Sequence, residues 1–245
     1  VWSTLGSLLF PRRCLICDQP AGSPFFSFPG SSIYASLLCV DCAAGLPAIA
    51  GPVCTKCGYP QTDKTGEHDC VLQELGRHLE LIRSGYLYEG VMMETIHRWK
   101  YQQRHLLLPL IQKLVDRAMD RWKDDFLDVD VIVAVPLAAA DWRARGFNQA
   151  LVIAGRGAFY LGKPLRRRLL IKTRRTPKQA RLHRSSRTTN LAGAFQVNRP
   201  RDLVGKTVLL CDDVMTTGST LAAAGNVLLQ AGAKAVKCFT LCRVL

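Results

Sequence analysis

Residues 207–221 read Thr-Val-Leu-Leu-Cys-Asp-Asp-Val-Met-Thr-Thr-Gly-Ser-Thr-Leu. Five residues of strand character, Thr207 to Cys211, lead into two adjacent carboxylates, Asp212 and Asp213. A small-residue loop follows, Thr216-Thr217-Gly218-Ser219, and then a helix-like run from Leu221. The pattern predicts a strand, loop, helix unit. Backbone N–H groups at a helix start have no intrahelical partner, the hydroxyls add donors, and Gly218 lets the backbone approach closely, so a phosphate fits at Thr216 to Ser219. The two aspartates would be repelled by that anion; they suit neutral hydroxyls, or a divalent cation held indirectly. A phosphate beside a diol describes a ribose 5-phosphate. The plainer alternative makes Asp-Asp a strand-end turn and Thr-Thr-Gly-Ser a helix cap, although a cap needs only one Ser or Thr.

Outward from this unit the same alternation recurs. Residues 129–135 form a nearly unbroken apolar run, expected for a strand buried on both faces of a parallel sheet. Pro136-Leu137 follows, then Trp142 to Gln149, and a helix expected over 148–161. Further strands are expected at 79–89, 169–172, 195–197 and 236–241. Helices are expected at 91–101, with Met92, Ile96 and Trp99 on one face, and at 106–122, with Pro109 in its first turn. Strands alternating with helices imply an α/β fold, a doubly wound parallel sheet with ligands at the carboxyl ends of its strands. His97 and His105 are expected on the surface.

Ten cysteines are many for 245 residues, and seven precede residue 71. Cys14/Cys17, Cys39/Cys42 and Cys54/Cys57 are Cys-x-x-Cys pairs, each able to present two thiolates to one tetrahedral ion. Cys14, Cys17, Cys39 and Cys42 have the spacing of a four-cysteine zinc ribbon. Cys54 and Cys57 need partners, which Cys70 and His68 can supply as a second site; the alternative leaves His68 solvated and Cys70 alone. Residues 1–76 have too few periodic apolar residues for a core of their own, the usual reason a small module needs metal. We therefore expect a zinc module over 1–76 and the sheet domain over 77–245. Cys211, Cys238 and Cys242 sit in apolar surroundings as small core residues.

Apolar content of 48% is that of a soluble globular protein, and no apolar run is long enough to span a bilayer. The start lacks a basic leader and a small-residue cleavage site, so a cytoplasmic location is expected. The charge is uneven. From Trp142 to Arg201 there are 16 Lys and Arg and no Asp or Glu, against 17 basic and 19 acidic residues elsewhere. Such a segment suits polyanions, with Arg166, Arg167, Arg168, Lys172, Arg174 and Arg175 as candidate DNA contacts, although a merely solvated basic face is the simpler reading. Trp142 flanks these charges; Phe147, Phe159 and Tyr160 have helical spacing and are expected in the core.

The stretch 208–219 resembles the signature of the type I phosphoribosyltransferases. With Arg145-Gly146-Phe147-Asn148-Gln149, Gln179, Arg187, Asn190-Leu191, Ala194-Phe195 and the closing Leu241-Cys242-Arg243, the whole chain resembles the ComF/GntX family. That family joins a cysteine-rich zinc module to a phosphoribosyltransferase-type domain and is associated with natural competence and the use of external DNA. The resemblance implies that Asp212 and Asp213 meet the ribose hydroxyls of phosphoribosyl pyrophosphate, with Mg²⁺ as its companion ion. Thr216, Thr217, Gly218 and Ser219 would meet its 5-phosphate. Pro136 and Leu137 would sit at the pyrophosphate loop, with Arg143 and Arg145 nearby. The family often has a fourth Cys-x-x-Cys where this chain has only His68-Asp69-Cys70, which leaves one or two zinc ions open.

Two functions follow. One is phosphoribosyl transfer, with the basic stretch 172–190 closing as a lid. The other is a DNA-handling or adaptor protein that keeps the sugar-phosphate pocket while binding single-stranded DNA or a competence ATPase.

Overall fold

The computed structural model describes residues 13–21, 34, 36–61, 68, 70–74, 79–101, 104–173 and 193–245. Its frame is a four-stranded sheet of β1 (Leu81–Leu87), β2 (Val131–Ala134), β5 (Thr207–Met215) and β6 (Ala235–Arg243), in the order β1-β6-β5-β2, with all three pairings parallel. β2 is buried along its whole length, as its apolar run requires.

Past β2, Leu165 forms a parallel bridge to Ile132, and the Arg166 amide donates to the Ile132 carbonyl at 2.9 Å. The chain therefore leaves β2 outward, whereas from β5 it moves the other way, to β6. With right-handed crossovers, these opposite directions put helices on opposite faces. On one face, α4 (Arg104–Trp122) packs against α6 (Gln149–Leu161), and the Arg156 guanidinium grips Asp116 through two bonds of 2.6 Å. On the other lies α7 (Ser219–Gln230), with Leu221, Ala224 and Leu228 turned inward at helical spacing. α3 (Gly90–Tyr101) buries Met92, Ile96 and Trp99, the face expected of it.

Four expectations need correction. β3 (Leu170–Lys172) and β4 (Phe195–Val197) do not join the parallel sheet but pair with each other, antiparallel, as a separate ribbon. Three-residue strands carry too little pattern to encode the direction of their partner. β5 continues through Met215 because β6 stays paired beside it, so the two aspartates lie inside the strand rather than after it. Pro109 stands in the second turn of α4, since that helix begins at Arg104. Phe159 is 76% exposed on α6, under the guanidinium of Arg156 at 4.9 Å, while Phe147 and Tyr160 do pack against the core.

The cysteine-rich residues share the sheet's core. Ile49 donates to Gly85 and Leu87 to Pro47, so residues 47–49 run along the free edge of β1. Short α1 (Val40–Ala44) and α2 (Val71–Glu74) lie beside the cysteines. No helix among the described residues is long and apolar enough to cross a membrane.

Candidate functional site

The strand order reverses between β2 and β5, and the crevice outside the carboxyl ends of such neighbours is where open α/β sheets bind ligands. Here that crevice is bordered by Pro136 and Leu137 after β2 and by residues 212–219 from β5 to α7. The Asn148 side chain fastens the next turn: its Oδ1 accepts from the Ala150 amide at 3.0 Å and its Nδ2 donates to the Val135 carbonyl at 2.9 Å.

Each aspartate accepts one amide bond from the following residue, Asp213 N–H to Asp212 Oδ1 and Val214 N–H to Asp213 Oδ1, both at 2.8 Å. Burial and then the neighbouring Asp213 charge push Asp212 up to about 8, far above the usual carboxylate range. Asp213 has a partner that the sequence did not reveal. Lys100, near the end of α3, places Nζ 2.5 Å from Asp213 Oδ2, with side chains only 17% and 14% exposed. Burial works against the Lys100 charge, yet Asp213 and Asp212 more than offset it and raise its pKa. Lys100 falls at an unremarkable polar position of an amphipathic helix, so only the fold brings it to residue 213.

Gly218 caps α7 in the left-handed region, at φ 75°, without a side-chain hydrogen bond to the first turn. Thr217 and Ser219 hydroxyls lie 2.9 Å apart, and Thr216 is exposed. The uncapped amides and these hydroxyls lie together at the start of α7. Arg145, on α5 (Ala139–Arg145), stands 5.9 Å over the Tyr101 ring and donates to Gln149 Oε1 at 3.4 Å; Arg143 is exposed. Lys172 lies over the Phe195 ring at 5.6 Å; burial lowers its pKa against the pull of Asp141 and Asp212, so it faces this crevice. Arg166, Arg167 and Arg168 are exposed beyond the other end of the ribbon. Arg174, Arg175, Gln179, Arg187, Asn190, Leu191 and all of the expected lid but its first two residues lie outside the described residues.

The cysteines converge in two groups, Cys14 with Cys17, Cys39 and Cys42, and Cys54 with Cys57, His68 and Cys70, each with ligand atoms within 4.8 Å of one another. Tetrahedral zinc with thiolates at about 2.3 Å needs sulfurs about 3.8 Å apart. Cys17 and Cys39 sulfurs are 3.5 Å apart, and His68 Nε2 is 3.1 Å from the Cys57 sulfur, so both donor sets fit zinc. Amides of Ile16 and Cys42 donate to the Cys14 and Cys39 sulfurs, the knuckle arrangement that favours thiolate. The Tyr59 ring stacks on His68 at 4.9 Å.

Residues 110–245 match the phosphoribosyl transferase domain. The chain belongs to that family. Residues 5–71 match the double zinc ribbon domain, so this is a type I phosphoribosyltransferase fold preceded by a double zinc ribbon. DNA utilization protein YhgH of Salmonella typhimurium is 28% identical, across 97% of this chain and all of that protein. YhgH of Escherichia coli (strain K12) is 31% identical across 79% of this chain and 85% of its own, and competence protein ComFC of Bacillus subtilis is 27% identical across 94% of each. The chain is a ComFC and YhgH homologue of the phosphoribosyl transferase family.

Proposed function

We propose that the chain binds phosphoribosyl pyrophosphate with Mg²⁺ between β2 and β5 and acts as a phosphoribosyltransferase in the handling of external DNA. The observation that carries this is the juxtaposition of paired carboxylates with an uncapped helix start at the switch point of the sheet. Departure of pyrophosphate leaves positive charge on the ribose ring, so the site must align reactants and neutralise the leaving group rather than supply a nucleophile. Asp212 and Asp213 accept from ribose hydroxyls, with Lys100 holding Asp213 in position. The α7 amides with Thr216, Thr217 and Ser219 donate to the 5-phosphate. Pro136 and Leu137 border the pyrophosphate, with Arg143 and Arg145 beside it. A divalent cation would displace the Asp212 proton, and the carboxylate pair would then suit Mg²⁺ held through water and the sugar, the ion supplying charge neutralisation for the pyrophosphate.

Residues 1–76 are the zinc module, with one ion per cysteine group, and 77–245 the transferase domain. A reducing compartment, the cytoplasm, keeps such thiolates available. The test is calorimetric titration with phosphoribosyl pyrophosphate and Mg²⁺. Asp212→Asn with Asp213→Asn should weaken binding roughly tenfold or more, from lost charge-assisted hydrogen bonds; an unchanged affinity sinks the assignment.

A second reading, a DNA-binding adaptor that retains the pocket and meets single-stranded DNA or a competence ATPase, is favoured by the exposed Arg166, Arg167 and Arg168 and by Trp142, 47% exposed. It requires strand binding that falls steeply with salt and no pyrophosphate release with any base.

A further inference from the structure

Away from the switch point, a cavity of about 420 Å³ opens at the base of the β3–β4 ribbon. Four arginines line it, Arg166, Arg167, Arg168 and Arg199, with Asn198, Asp202 and two leucines. Its Arg166 wall bonds Ile132 on β2, which pairs with Leu209, so Asp212 lies three residues further along β5 with β2 between them. The walls are fixed by backbone bonds: Arg166 N–H to Ile132, Asn198 N–H to Leu169 at 2.7 Å, and Asp202 N–H to Arg199 at 3.1 Å.

Two observations point to a ligand. None of the four guanidinium groups has a hydrogen bond or ion pair among the described residues, and Asp202 is the single carboxylate lining the cavity. All four are exposed, so water screens part of their mutual repulsion, and an anion that joined them would remove the rest. Arg199 also sits in the left-handed region at φ 63°, where a non-glycine residue is strained by roughly 1 kcal/mol or more. Glycine would fit that backbone without strain, so the Arg199 side chain has a use that outweighs the cost.

The chemistry of the lining selects the class of ligand. Guanidinium forks match phosphate oxygens two at a time, and a local balance of three positive charges matches two or three linked phosphates. The Asn198 amide and the Asp202 carboxylate offer one donor-acceptor group and one acceptor for hydroxyl or amino groups, and the leucines offer an apolar surface for a ring. The volume is that of a small-molecule site. We propose that this cavity is a nucleoside di- or triphosphate site, separate from the sugar-phosphate site and independent of that assignment.

The test titrates the zinc-loaded full chain by calorimetry with ATP, GTP, dATP, tripolyphosphate and a short single-stranded oligonucleotide. Variants are Arg167→Ala with Arg168→Ala, and Arg199→Gly, beside the Asp212→Asn, Asp213→Asn protein. A nucleotide should saturate at one per chain, weaken roughly tenfold or more in both arginine variants and bind unchanged in the aspartate variant. Arg199→Gly should keep or raise the melting temperature, so that its loss of binding is not unfolding. Tripolyphosphate binding as tightly as every nucleotide would reduce the cavity to a charge patch and overturn the proposal. Binding of the oligonucleotide alone would make the arginines a strand contact and overturn it equally. Nucleotide binding that survives the arginine changes but not the aspartate ones would assign it to the switch point. Failure of the sugar-phosphate assignment shows separately, in the titration with phosphoribosyl pyrophosphate.

Discussion

Asp212 is held where its charge is unfavourable. Unfolded, a carboxyl of this kind ionises near its ordinary 3.8; folded, burial and the Asp213 charge keep the proton on up to about 8. Between those values the folded chain binds more protons than the unfolded one, so this group makes stability fall as pH rises, and the loss is complete above about 8. Asn at 212 can still accept the Asp213 amide and carries no charge. Asp212→Asn should therefore stabilise the ligand-free protein, by nothing near pH 4 and by a few kcal/mol, roughly 1 to 3, near pH 8. Calorimetric melting of both proteins across that range checks it; parallel curves would show that Asp212 is not strained. The carboxylate pair and its loop were legible because all of their residues lie within eight positions, Asp212 to Ser219. Lys100 was not, since its partner is set by where the end of α3 meets β5.

At the scale of elements, one contact that constrains the zinc ribbon is a glycine against a strand. Gly58 has φ +66° and donates to Cys54, closing the third knuckle, Cys54/Cys57, and a Cβ there would stand 2.6 Å from the Ile82 carbonyl oxygen of β1. That oxygen is backbone and cannot swing aside. The knuckle is tied to the same strand by the Ile82 amide, donating to Lys56 at 2.8 Å. Gly58→Ala should cost about 2 kcal/mol or more and loosen Cys54 and Cys57 from β1. Urea unfolding measures the first effect and zinc content the second; a neutral substitution would mean that the knuckle is not seated as described. The sequence revealed the knuckle through its cysteine spacing but not its seat, because a Cys-x-x-Cys turn does not name the strand it will lie on. The long elements were legible for the opposite reason: α3, α4, α6 and the parallel strands each repeat their apolar period often enough to be read alone. β3 and β4 do not. Phe159 shows the same limit within a helix, its spacing fitting an apolar face that α6 turns toward solvent.

Across the whole molecule, the ribbon completes the transferase sheet. Arg83 and Arg243 are charged residues of β1 and β6, 5% and 3% exposed, and both donate to carbonyls of the cysteine module, while Arg243 Nε is buried without a partner. Arg83 pairs with Asp125 at 2.6 Å and donates to the Thr55 carbonyl at 2.8 Å; Arg243 donates to the Cys57 carbonyl at 2.8 Å and lies over the Tyr59 ring that stacks on His68. These carbonyls belong to the Cys54/Cys57 knuckle, whose ligands hold them in position. Withdrawing metal frees them and leaves buried guanidinium groups short of acceptors, a loss on the order of 3 kcal/mol. The module expected at 1–76, which has too few apolar residues for a core of its own, shares one core with the sheet among the described residues, from Cys14 to Cys242. A strong chelator should lower the melting of the sheet itself, by roughly 10 °C for a chain of this size, in one cooperative transition. Near-ultraviolet circular dichroism of Trp99 and Trp122, which lie in the sheet domain, follows that transition. If chelation instead splits off an early transition and leaves the tryptophan signal melting where it did, the ribbon is an appendage, and Arg83 and Arg243 find their acceptors without it.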